Sequence, residues 1–231
     1  MKLLQHFRAT PAKLPRRALQ PHQVILYLTG CLLFSLGVKL FVDSNLGTDP
    51  LNAMVIGIVA VIDRPFIRIG LVSSILTIGF LAVWVYWNRR APPLTTFLTM
   101  ALVGYLIDLW NAIGLERLTR ALAGPQALLV IGLMFDAYAS ALIIMSGIGI
   151  RIMDLLAITI TRRWRWPFFA AKMIFELGFV LVAWRLHGPI GVGTIAFVCI
   201  VGNFIQIFMW ANRALLNLPN YALDAASQSG Q

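Results

Sequence analysis

Charge is scarce in this chain, and so are the residues that usually carry metal or redox chemistry. Asp, Glu, Lys and Arg make up 12% of its 231 residues, about half of the roughly 25% found in soluble domains. A solvated globular domain is excluded on that ground. The three histidines, His6, His22 and His187, lie far apart and form neither a zinc set nor a proton relay. The two cysteines, Cys31 and Cys199, both fall inside apolar runs, where neither a structural disulfide nor a metal pair is expected. There is no Gly-x-x-x-x-Gly-Lys loop, no Gly-x-Ser-x-Gly elbow and no His-Glu-x-x-His. The expectation is therefore a protein without cofactor or metal that is not an enzyme.

What the chain has in abundance is apolar sequence, 59% of its residues. Long runs span about 24–42, 69–87, 95–113, 126–145, 167–186 and 191–212, each near the ~20 residues that a helix needs to cross ~30 Å of hydrocarbon. Two shorter runs, about 50–62 and 150–161, suit short tilted or re-entrant helices. The reading is an all-α polytopic membrane protein. Lys2, Arg8, Lys13, Arg16 and Arg17 precede the first run, which lacks a cleavage pattern and is expected to be retained. Positive charge held inside places the N-terminus in the cytoplasm. The net charge of +10 then reads as topology and contact with anionic lipids, not nucleic acid, because the basic residues lie in short loops. Trp84, Trp87, Trp110, Trp164, Trp166, Trp184 and Trp210 cluster near run ends, as in an interfacial aromatic belt.

Two breaks in the apolar pattern, about 102 residues apart, resemble each other. Ser44 answers Ser146, Gly47 answers Gly149, and Asn52 answers Asp154; where Asp49 stands in the first, Arg151 stands in the second. Further on, Thr96, Gly104 and Asp108 answer Thr194, Gly202 and Gln206. The chain thus divides into a basic tail (1–23), a first membrane repeat (24–113), a linker (114–125), a second repeat (126–213) and a flexible C-terminal tail (214–231). Each repeat holds three long transmembrane helices and one short helix after a Gly/Pro break marked by Gly47 and Pro50, or by Gly147 and Gly149. If the short helices cross, the repeats are parallel; if they are re-entrant, the repeats are inverted. Loop charges satisfy the positive-inside rule either way, slightly better with eight crossings.

Ionisable residues within the apolar pattern are costly and need a partner or a watery cavity. They are Lys39, Asp43, Asp49, Asp108, Asp136, Arg151, Asp154, Lys172 and Glu176. Lys39 and Asp43, four apart near a helix end, can snorkel. Asp49 before Pro50 suits a helix cap, or else an ion pair with Arg151 that fastens or gates the two halves. Arg suits bidentate capture of a carboxylate or phosphate, and helix starts favour anionic groups. Lys172 and Glu176 share a helical face, with Ser73 and Thr77 as uncharged counterparts. Glu176, Lys172 and Asp108 are the candidates for ion coupling.

The run Gly30, Leu36-Gly37 and Asn45-Leu46-Gly47-Thr48-Asp49-Pro50 resembles the opening of the YczE/YyaS/YitT family of bacterial membrane proteins. Gly104 with Asp108, Arg151 with Asp154, Glu176, and the stretch from Gly188 to Thr194 are similar to that family's later signposts. The chain departs from the family's Gly-Pro-Arg-Asp at Gly149-Ile150-Arg151-Ile152-Met153-Asp154. The resemblance implies a bacterial cytoplasmic membrane and a part in transport or in supporting secondary-metabolite production, without a defined biochemistry.

Together these features lead to the expectation of an inner-membrane, permease-like transporter. A small anionic or zwitterionic solute would bind between the breaks through Arg151, Asp154, Asn45, Asn52 and Asp49. The alternative is a non-transporting scaffold for a biosynthetic or stress-response partner, contacting it around Arg162, Arg163, Trp164, Arg165 and Trp166. A homo-oligomer is compatible with either.

Overall fold

The computed structural model describes residues 20–222 except 65, 68 and 90–93, with the side chains of 120 and 122 also left aside. Most of the basic tail and residues 223–231 lie outside the described residues, as do Arg68 and Arg90. The described chain is helical: α1 (Pro21–Asp43), α2 (Pro50–Ile62), α3 (Ile69–Asn88), α4 (Thr95–Ala112), α5 (Leu115–Leu122), α6 (Pro125–Ser146), α7 (Ile152–Trp164), α8 (Phe168–Arg185) and α9 (Val192–Leu216). Four of these, α1, α3, α6 and α9, are long and apolar enough to cross a membrane. The other two of the expected six, α4 and α8, are 18 residues each; α8 is less apolar because it carries Lys172, Glu176 and Arg185.

The core is the pair α1 and α6, which pack along their lengths. Small residues allow it: a Cβ on Gly37 would stand 2.7 Å from the Asp136 N and 2.9 Å from the Gly132 O, and one on Gly132 would stand 2.8 Å from the Phe41 N. Backbones this close gain dispersion contacts that lipid tails cannot offer, the usual means of helix association in hydrocarbon. Gly30 meets Ile143 and Ala139, and Gln23 Nε2 donates to the Ser146 O, so α1 and α6 run antiparallel. The parallel arrangement that loop charges slightly favour does not fit this direction.

The remaining helices follow in matched fashion. α4 runs parallel to α1, through Tyr27 to Thr99 and Trp110 to Ser35. α9 runs parallel to α6, through Leu129 to Gly193 and Asn212 to Met145. We call the end where α1 begins and α9 finishes the terminal face. Both α1 and α2 head away from it, because the chain turns back through 44–49 and α2 then lies along the outgoing end of α8, with Gly57 against Leu186 and Gly188. α6 and α7 both head toward it, and α7 lies along the end of α3 through Trp84 to Thr159 and the Trp87 and Trp164 rings. Each short helix thus starts inside the bundle and ends at a face.

Two regions differ from the sequence reading. The linker forms α5 on the face opposite the termini. It covers Lys39 and Asp43, which are 5% exposed each and paired at 2.5 Å, with Thr119 Oγ1 donating to Asp43 at 3.4 Å. They are buried by an amphipathic helix and do not snorkel. Beyond Leu216, Asn220 and Ala222 are buried, and Tyr221 lies against Gly147, His22 and Gln20. Residues 218–222 of the expected flexible tail are therefore packed on the bundle.

Candidate functional site

Both breaks are built the same way, residue by residue. Ser44 Oγ donates to the Phe41 O at 2.6 Å and accepts from the Leu46 N at 3.4 Å; Ser146 Oγ donates to the Ile143 O at 2.7 Å and accepts from the Ile148 N at 3.0 Å. Asn45 and Gly147 both have positive φ, as do Gly47 and Gly149. These turns redirect the chain while the serines satisfy the carbonyls a helix end leaves open. Gly149 cannot carry a side chain, because a Cβ there would stand 2.0 Å from Thr99 Oγ1. Each break then docks on the start of a distant helix: Thr194 Oγ1 donates to the Thr48 O at 2.7 Å, and Thr96 Oγ1 to the Ile150 O at 2.8 Å.

Asp49 and Arg151 follow as the N-cap residues of α2 and α7, with φ, ψ of −61°, 153° and −60°, 147°. Each turns its side chain onto the residue three places ahead. Asp49 accepts from the Asn52 N at 3.1 Å and from Asn52 Nδ2 at 2.5 Å, a helix cap. Arg151 grips Asp154 Oδ2 through Nε at 2.9 Å and a terminal nitrogen at 2.7 Å. No ion pair joins Asp49 to Arg151, because each has a partner nearer on its own helix.

Around Arg151 lies a buried charge cluster drawn from three helices. Lys172 Nζ reaches Asp154 Oδ1 at 3.0 Å and Glu176 Oε1 at 3.1 Å. Arg151 also donates to Ser140 Oγ at 2.7 Å, approaches Asp136 Oδ1 at 3.8 Å, and lies 4.1 Å over the Phe34 ring. Asp136, Asp154, Lys172 and Glu176 are all at most 5% exposed. Both cations are engaged, whereas Asp136 Oδ2 and Glu176 Oε2 have no partner. Such atoms are expensive to bury unsatisfied.

The cluster borders a cavity of about 310 Å³ between the starts of α2 and α7, lined also by Asp49, Asn52, Ser73 and Thr77. Of the residues expected at a site, Arg151, Asp49 and Asn52 line it with Lys172 and Glu176, and Asp154 holds the two cations from below. Asn45 lies elsewhere, in a recess with Asp43 and Pro125. Asp108 is on the exposed face of α4, one residue past the cavity-lining Ile107. Asp136, marked in the sequence only as a charge in need of a partner, enters the site; Phe34 and Ser140 have no feature of their local sequence that distinguishes them.

Comparison with known proteins agrees with the resemblance read from the breaks. The chain is 29% identical over 189 residues to a Bacillus subtilis (strain 168) protein described as "Uncharacterized protein YyaS", covering 79% of this chain and 90% of the relative. It is 26% identical over 192 residues to the "Uncharacterized membrane protein YczE" of the same organism, covering 83% and 87%. A Haemophilus influenzae protein is 25% identical over 193 residues, covering 81% and 83%. No solved structure matches significantly. The pattern of a family described as "Family of unknown function (DUF6198)" matches residues 21–210, and this membrane protein belongs to that family.

Proposed function

We propose that the protein is a permease-like transporter of a small charged solute, built from two inverted repeats with re-entrant short helices. The observation that carries this reading is the cavity between the starts of α2 and α7, with buried charged groups on its wall and carboxylate oxygens that lack partners. Secondary transporters use this plan: duplicated halves, interrupted helices, and a solute site where half-helices meet near the midplane. The matched hydrogen bonds of the breaks, and α2 and α7 of 13 residues each, support the duplication. With the terminal face in the cytoplasm, Arg89, Arg162, Arg163, Arg165 and Arg213 lie inside, in keeping with the positive-inside rule. The membrane would be the bacterial inner membrane.

Of the two solute classes expected from sequence, a plain anion fits the cavity poorly, and the part of a zwitterion that suits it is the cationic group. An anion would have to displace Asp154 or Glu176 from Arg151 and Lys172, while a cationic group finds free acceptors. Glu176 and Asp136 are the acids placed to couple an ion; Asp108 faces away from the cavity.

The test is alternating access. A single cysteine at Ser73, on the cavity wall, should react with a membrane-impermeant thiol reagent applied to either side of proteoliposomes. Reaction from one side only, with no ligand effect, would overturn transport and favour the scaffold. The surface for that role is the turn after α7, where Trp164 and Trp166 are exposed.

A further inference from the structure

We infer that the group recognised in the cavity is a single cationic ammonium carried on an apolar body. This rests on the transport site proposed above and deepens it by naming the chemistry of its ligand.

The charge balance points to one positive charge. Asp49, Asp136, Asp154 and Glu176 face only Arg151 and Lys172 at the site. The starts of α2 and α7 each add roughly half a positive charge, which leaves about one negative charge uncompensated. Its location is visible in the hydrogen bonding. Asp136 Oδ2 and Glu176 Oε2 are buried without a partner on residues 2% and 5% exposed that line the cavity. An ammonium carries three donors and no acceptor, so a small rotation that turns these oxygens into the cavity lets it complete both carboxylates while Asp154 keeps its hold on Arg151 and Lys172.

The apolar body follows from the walls and the way in. Phe34, Val38, Phe41, Phe175, Phe179 and Phe197 surround the polar end, and aromatic faces attract cations as well as covering apolar groups. α3 and α4 both contribute wall residues, Ser73 and Thr77 from one, Met100 and Ile107 from the other. Yet these helices do not pack together, while α8 packs on α9, where a Cβ on Gly202 would touch the Phe169 O at 3.5 Å. The cavity wall is therefore thinnest between α3 and α4, which carry exposed apolar residues such as Ile75, Ile78, Phe97 and Tyr105 on their outer faces, as helices facing hydrocarbon do. A ligand with an apolar body can enter there, and a small polar solute cannot do so cheaply.

The test compares hexylammonium, hexanoate and hexanol, which share a tail and differ in the head, by thermal unfolding of the detergent-purified protein. Hexylammonium should stabilise it most, hexanol weakly, and hexanoate not at all. Asp136→Asn and Glu176→Gln should each weaken hexylammonium by roughly tenfold or more, about 1.4 kcal/mol, while hexanol binds as before and reports that the cavity is intact. Preference for hexanoate would overturn the inference. So would equal binding of hexanol and hexylammonium, or hexylammonium binding unchanged in both variants. Failure of transport is distinguishable: hexylammonium bound as expected, with Ser73→Cys reached from one side only, removes transport and leaves the ammonium site standing.

Discussion

Thr96 and Thr194 make the same hydrogen bond at opposite ends of the bundle. The hydroxyl of Thr96, at the start of α4, donates to the Ile150 O in the second break, and that of Thr194, at the start of α9, donates to the Thr48 O in the first. Each break is therefore closed by the start of a helix distant in sequence. Both threonines are at most 1% exposed, so each hydroxyl is itself held out of water.

Thr96→Val and Thr194→Val should accordingly cost similar amounts, about 1–3 kcal/mol each for a buried acceptor left unsatisfied. Serine at either position should retain most of the stability. Unfolding in detergent compares the four variants, and a valine variant as stable as wild type would remove the docking role of that hydroxyl.

Asp154 is the hinge of the buried charges, since it holds Arg151 and Lys172 together. Asp154→Asn leaves buried Lys172 and half-buried Arg151 short of an anion and should cost about 3 kcal/mol. Glu176→Gln should cost less, because Lys172 keeps Asp154. Yield of monodisperse protein and its unfolding midpoint check the order; equal stability of both variants would contradict it.

Gly132 and Gly104 make a paired test of the helix contact. Gly132→Ala places a methyl 2.8 Å from the Phe41 N and 2.9 Å from the Gly37 O. It should force α1 and α6 apart at about 1–3 kcal/mol. Gly104 has nothing within 4 Å of its Cβ position, so Gly104→Ala should be neutral or gain up to about 1 kcal/mol from helix propensity. Similar effects at the two sites would mean that α1 and α6 are not in backbone contact.

Sidedness separates re-entrant from crossing short helices. In a background of Cys31→Ser and Cys199→Ser, cysteines replacing Phe66 and Trp164 should be labelled from opposite sides of the membrane. Labelling from the same side would place both α2 and α7 across the bilayer.

The charged part of the site was legible because an ionisable residue in an apolar run stands out against its neighbours: Arg151, Asp154, Lys172 and Glu176 could hardly be filler. Phe34 and Ser140 could not be found this way, being ordinary membrane residues until Arg151 reaches them. Asp108 shows the converse. It stands out as strongly as Glu176, yet the phase of α4 turns Ile107 to the cavity and Asp108 away from it, and one residue of helical rotation cannot be assigned without a neighbour to define the inside. Asp49 and Arg151, matched in position, suggested a pair across the halves, but the residue three ahead on each helix is closer and satisfies the side chain first.

By itself the sequence determined where the long apolar helices lie and where the apolar pattern is broken. These are local matters: apolar run length answers to bilayer thickness, and Gly47, Pro50, Gly147 and Gly149 mark where regular backbone cannot continue. Only the tertiary structure decided the direction of α2 and α7, the burial of Lys39 and Asp43 under α5, and the partners of Arg151. Each depends on where a short turn sends the chain next. That is chosen by contacts made far away in sequence, such as Gly37 against Gly132 and Thr194 against Thr48.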